Sequence, residues 1–101
     1  MKSWMIKLVN VLSIVYKIRY YKNKKSLGEK EDTCGETDFE DKTIKIWTGQ
    51  SDNETAKTII HEILEAINYE YYIRLNHNQI EKLEGAIFDT WSRNGLKELM
   101  G

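Results

Sequence analysis

Residues 51–72 read SDNETAKTIIHEILEAINYEYY, and this stretch decides the fold of the second half of the chain. Ser51 and Glu54 form an S-x-x-E pattern, which is typical of a capping box at the start of a helix. Apolar residues then recur at helical spacing, which predicts an amphipathic helix over about residues 52–72. The members of this apolar stripe are Ala56, Ile59, Ile60, Ile63, Leu64, Ile67 and Tyr71.

A second apolar stripe follows and predicts another helix over about residues 78–94. Its members are Ile80, Leu83, Ile87 and Trp91. Gly95 stands where a helix commonly ends in the left-handed conformation. We therefore expect two helices joined by a short turn.

The first half of the chain has the alternation of strands. Tyr16, Ile18 and Tyr20 share one face of a strand over about residues 14–20. Two further strands are expected over about residues 34–39 and 42–47, forming a hairpin. The strand over 42–47 is expected to be an edge that aligns a peptide by β-augmentation. The whole chain, residues 1–101, is therefore predicted to be a single α+β domain. It would have a small antiparallel sheet of about three strands followed by two main helices.

Composition narrows the classes of function. The 101 residues carry a formal net charge of -1, which argues against a histone-like or polybasic nucleic-acid binder. A single cysteine, Cys34, excludes an internal disulfide and favours a reducing cytoplasm. No apolar stretch approaches the length of a membrane span. A basic patch at Arg19, Lys22, Lys24 and Lys25 is expected to be a solvated strand end, because an acidic run follows it closely. A nucleic-acid-binding module that uses this patch is the weakest of the alternatives.

The first helix carries a candidate metal-binding motif, H-E-x-x-E, formed by His61, Glu62 and Glu65. At about 100° per residue, His61 and Glu65 lie about 40° apart on the helical wheel. The H-E-x-x-H motif of zinc hydrolases uses this spacing for two ligands, with the intervening Glu as general base. A carboxylate is also a zinc ligand. The pattern predicts Zn²⁺ on His61 and Glu65, with Glu62 as the catalytic residue. On the helical wheel Glu62 points toward the rim of the face that carries His61 and Glu65.

Catalytic zinc usually has a third protein ligand. His77 is the only other histidine, and with His61 and Glu65 it would complete a set of two histidines and one carboxylate. Glu81 and Glu84, further along the second helix, are alternatives for the third position. A polar helix face exposed to solvent is the competing interpretation of these residues.

Three segments together resemble small phage and prophage proteins of the zincin-like metallopeptidase type. They are CGETDFEDKTIKI (34–46), TIIHEILEAINYEY (58–71) and LNHNQIEKLEGAIFDTW (75–91). The resemblance implies a minimal zincin-like core, with a sheet beside an active-site helix and a supporting helix. His61 would be the first metal ligand and Glu62 the general acid/base, whereas Glu65 stands where that family has its second histidine.

This resemblance implies a zinc metallopeptidase-like domain that hydrolyses peptide bonds in the cytoplasm of a bacterial host cell. Its partner would be a peptide or protein substrate. The alternative is a catalytically weak or inactive phage or prophage accessory protein that binds a host or phage protein.

Overall fold

The structure, a computed structural model, describes residues 2, 4–24 and 33–95. The described residues form a four-stranded sheet followed by two helices, which confirms the α+β class. The strands are β1 (Leu8–Val11), β2 (Ile14–Tyr21), β3 (Gly35–Asp38) and β4 (Thr43–Trp47), and the helices are α1 (Asp52–Glu70) and α2 (His77–Asn94). Lys25 of the predicted basic patch lies outside the described residues.

The sheet differs from the prediction in its pairing. Its order is β1-β2-β4-β3, and β2 pairs with β4 in parallel, so the sheet is mixed and not wholly antiparallel. β1 is an additional strand that pairs with β2. The predicted edge strand over 42–47 is wrong: β4 lies inside the sheet, because β2 pairs with its other side, and β3 is the edge strand. Alternation of side chains identifies strands but does not specify their partners.

The predicted hairpin joins β3 to β4. Its turn depends on Asp38, whose Oδ1 accepts the backbone N–H groups of Glu40 at 3.0 Å and Asp41 at 2.9 Å. This Asx-type turn takes the place of an Asn-Gly pair. Lys42 then adopts a φ of 54° to lead the chain into β4.

Both helices are capped by polar side chains. Ser51 Oγ accepts the Glu54 N–H at 3.2 Å, as the capping pattern predicts. α1 ends at Glu70, two residues before the predicted end, and Tyr72 has a left-handed φ of 54°. Gly95 closes α2 with a φ of 65°. Neither helix is long and apolar enough to cross a membrane.

The core lies between one face of the sheet and α1. Tyr16, Ile44 and Ile46 from the sheet are fully buried against Ile59 of α1. The buried positions of α1 are Thr55, Ile59, Ile60, Glu62 and Ala66. A carboxylate therefore lies within the face of α1 that packs on the sheet.

Glu70 anchors the end of α1 to the sheet. Its Oε2 accepts the Tyr16 hydroxyl at 2.5 Å and the Lys42 ammonium at 2.8 Å. The hydrogen bond from Lys42, followed by that from Tyr16, lowers the pKa of Glu70. Burial, followed by the hydrogen bond to Glu70, raises the pKa of the Tyr16 hydroxyl.

The lowered pKa of Glu70 predicts how stability depends on pH. The folded state favours the Glu70 carboxylate, so its contribution is present above the ordinary pKa of 4.5 and is lost as the pH falls through the folded pKa. In urea unfolding, the wild type should exceed Glu70→Gln in stability at neutral pH. The gap should narrow progressively as the pH falls below 4.5. A gap of constant size would contradict a pH-dependent role for Glu70.

Two glycines provide a matched pair of stability tests. A Cβ atom on Gly35 would lie 2.7 Å from Thr58 Cγ2 and 2.9 Å from Glu62 Cγ, whereas one on Gly85 of α2 would meet nothing within 4 Å. We expect Gly35→Ala to destabilise the protein by about 1–3 kcal/mol, because it forces β3 away from α1. Gly85→Ala should stabilise it by roughly 0.5–1 kcal/mol. Chemical denaturation measures both, and shifts of the same sign would contradict the close contact of β3 with α1.

Candidate metal centre

His61 lies on the side of α1 that meets α2. Its Nδ1 is 2.7 Å from Oε1 of Glu84, and both side chains are about four-fifths buried, with 20% and 23% exposed. A carboxylate only accepts hydrogen bonds, so Nδ1–H is the donor, and in the neutral ring Nε2 keeps its lone pair. Metal-binding histidines are commonly oriented in this way, by a carboxylate on the nitrogen that does not bind the metal.

Glu65 lies one helical turn after His61, on the side of its free nitrogen. The distance from His61 Nε2 to Glu65 Oε1 is 3.8 Å. Two ligand atoms in a tetrahedral zinc site lie about 3.4 Å apart when each is about 2.0–2.1 Å from the ion. His61 and Glu65 therefore need to approach by only a few tenths of an ångström to share one ion.

His77 is the first residue of α2 and lies beside His61. The two imidazole centroids are 5.9 Å apart in an edge-to-face arrangement. His77 Nε2 is 2.9 Å from Oε1 of Glu81, and the His77 side chain is 69% exposed. Both histidines thus lie at the same end of the interface between α1 and α2, but this nitrogen of His77 is engaged by Glu81.

The predicted ligands are neighbours that do not converge. Within residues 2, 4–24 and 33–95, no three His, Cys, Asp or Glu side chains are arranged to hold a metal ion. The chemistry of His61 and Glu65 suits zinc, and rotation of the exposed His77 side chain away from Glu81 is the change that a third ligand requires. Glu84 is occupied by His61 Nδ1.

Glu62 does not lie on the rim of the His61 face, as the helical wheel suggested. It is 7% exposed and packs against β3. The Thr37 hydroxyl donates to Glu62 Oε1 at 2.8 Å and lies 3.3 Å from the Glu62 carbonyl oxygen. Burial raises the pKa of Glu62, and the hydrogen bond from Thr37 opposes this shift. The carboxylate is therefore held between α1 and the edge strand.

The roles of Glu84 and Thr37 could not be predicted from the sequence, because they depend on the tertiary fold. Glu84 is a candidate metal ligand in the sequence, but its carboxylate lies at Nδ1 of His61 and orients that ring. Thr37 is not singled out by the sequence, because a threonine in a strand is unremarkable until the strand is placed beside α1. Its only signal is its position on the same face of the hairpin as the inward-facing Ile44, its partner in register.

Comparisons with protein-family models, with curated proteins and with solved structures found no match for this chain.

Proposed function

We propose that this chain is a zinc metallopeptidase-like domain that hydrolyses peptide bonds. The observation that carries the proposal is the pair of contacts around His61. Glu84 occupies Nδ1 at 2.7 Å, and Glu65 approaches the free Nε2 at 3.8 Å. Such an arrangement presents an oriented imidazole and a carboxylate to one ion.

Zn²⁺ in this place would supply a Lewis acid that polarises the scissile carbonyl and lowers the pKa of water. His61 and Glu65 would bind the ion, and His77 would be the third ligand after leaving Glu81. Glu62, adjacent in sequence to His61, would take the proton from the attacking water and pass it to the leaving amine once its carboxylate turns from Thr37 toward the ion. The Thr37 hydroxyl would hold the carboxylate in its resting position between α1 and β3.

β3 suggests how a substrate peptide would be aligned. Among the described residues β3 pairs only with β4, and Gly35 brings it close to Glu62. An extended peptide could add to the free edge through backbone hydrogen bonds, as in β-augmentation. In this proposal the substrate strand lies at β3, not at the interior strand Thr43–Trp47.

The role of Glu84 can be separated from a general effect of charge. We expect Glu84→Ala to weaken zinc binding by about 10–100-fold, because His61 loses the carboxylate that orients it. Glu81→Ala removes the same charge from the same helix and frees His77, so it should weaken binding less or strengthen it. Isothermal titration with ZnCl₂ measures both variants. Equal affinities for Glu84→Ala and the wild type would contradict the orienting role.

A non-catalytic accessory protein that binds a host or phage protein is the second candidate. It is favoured by the burial of Glu62, whose carboxylate is held by Thr37 under the edge strand. Exposed aromatic side chains at the end of α1 would suit a protein partner, since Tyr71 is 50% and Tyr72 is 82% exposed. Hydrolysis of casein or a peptide library, measured with and without EDTA, distinguishes the two. EDTA-sensitive cleavage supports the peptidase, and its absence in zinc-loaded protein supports the accessory role.

A further inference from the structure

The face of the sheet that α1 leaves uncovered carries a set of basic side chains. In β2, Tyr16 and Ile18 point into the core, whereas Lys17 and Arg19 alternate with them and are exposed. Lys45 takes the same outward direction in β4, between the buried Ile44 and Ile46. The alternation of the strands therefore sorts these cations onto one face.

The register brings like charges together. Arg19 and Lys45 are direct partners in the parallel pairing of β2 with β4. Lys17 precedes Arg19 by two residues, which places it about 7 Å further along the same face. Like charges opposite each other destabilise a sheet, so this arrangement has an energetic cost.

Acidic side chains of the described residues do not relieve this repulsion. Lys17, Arg19 and Lys45 form no ion pair with any carboxylate in residues 2, 4–24 and 33–95. Glu36 is the register partner of Lys45 on the β3 side, yet the two make no ion pair. The carboxylate of Asp38 is engaged by the backbone of the hairpin turn. The three cationic side chains of this face are therefore available to bind an anion from outside the described residues.

A cavity adjoins these cations. It has a volume of about 400 Å³ and is lined by Lys7, Leu8, Lys17, Ile18, Arg19 and Tyr20. Leu8 is 59% exposed beside Lys17, its register partner on this face, whereas the side chains of Ile18 and Tyr20 turn to the core side of the sheet. A base can lie against Leu8, with its phosphates on the surrounding ammonium and guanidinium groups.

We propose that this sheet face binds single-stranded nucleic acid. The cations would contact the phosphates, and the cavity would take an unstacked base. A duplex keeps its bases stacked inside and cannot place one in the cavity, and a peptide of Asp and Glu alone has no ring to place there. Lys24, whose ammonium lies 4.9 Å from the centre of the Trp47 ring, extends the basic surface along the same face.

The net charge of -1 does not contradict this surface, because it averages over opposite ends of the chain. Residues 1–45 carry a net charge of +3 and residues 46–101 carry -4. The acidic half includes both helices, and α1 packs on the other side of the sheet. Binding of phosphate depends on the local density of charge and not on the total.

Fluorescence anisotropy with a labelled oligothymidine of about twelve nucleotides tests the proposal on the full chain. The test variant is Lys17→Gln/Arg19→Gln. The matched control, Lys82→Gln/Arg93→Gln, removes the same charge from exposed positions of α2. We expect about tenfold weaker binding for the test variant at low salt, and a shallower dependence of affinity on salt by about 1.4 in log–log slope. The control should match the wild type.

Four results would overturn the proposal. They are equal loss in both variants, absence of binding by the wild type at low salt, a duplex of the same length binding as tightly, and polyglutamate competing better than the oligonucleotide. Thermal unfolding of both variants establishes that each is folded before the comparison. Oligonucleotide binding by the sheet face is independent of zinc, so it succeeds or fails separately from the proposed peptidase activity.

Discussion

Glu62→Gln is expected to lower peptide hydrolysis by about 10²–10⁴-fold while zinc stays bound, because the amide cannot accept the proton of the attacking water. The amide introduced by this substitution keeps an oxygen that can accept the hydrogen bond from Thr37, so the packing of α1 on β3 should survive. Turnover of a fluorogenic peptide and the zinc content of the same preparation are the two measurements required.

Glu40→Gln is the matched control for this prediction. It removes a carboxylate from an exposed position in the turn after β3. Its activity should equal that of the wild type. If Glu62→Gln cleaves the peptide as fast as the wild type, Glu62 has no catalytic role. That result would favour the accessory-protein function.

His61→Gln is the second change with a large expected effect. The introduced amide can still donate a hydrogen bond to Glu84, but it lacks the imidazole nitrogen that would bind zinc. We expect the affinity for zinc to fall by more than about 100-fold, with the unfolding midpoint in EDTA nearly unchanged. Equilibrium dialysis measures the first quantity and thermal denaturation the second. Retention of zinc by His61→Gln would place the ion elsewhere.

The sequence predicts the helices well because their signals are local. Ser51 and Glu54 specify the start of α1, and Gly95 specifies the end of α2. α1 ends two residues before the predicted end because Tyr72 adopts a left-handed conformation. A tyrosine rarely adopts this conformation, so the sequence does not indicate it. Boundaries set by the turn geometry are therefore less predictable than those set by caps.

The sheet is less predictable because its pairing is not local. β1 has four residues, and its turn into β2 uses Leu12 at a φ of 62°, a position where Gly or Asn would have been recognised. β4 pairs with β3 as expected but also with β2, in parallel, across a long connection. No periodicity within a strand specifies that second partner.

In the candidate site, too, the local features were predictable from the sequence and the non-local ones were not. The spacing of His61 and Glu65 on one helix predicts that they face the same side, and their atoms lie 3.8 Å apart. The position of Glu84 depends on how α2 crosses α1, which the spacing within one helix does not contain. The buried face of α1 does not coincide with the apolar stripe that the sequence predicts. It includes Thr55 and Ala66, and Glu62 lies within it.

Titration of tag-free wild-type protein with ZnCl₂, followed by calorimetry and by thermal unfolding, tests the metal site most directly. We expect about one Zn²⁺ per chain and a rise in the unfolding midpoint as zinc is added. The absence of both a binding heat and a thermal shift would contradict the metal site.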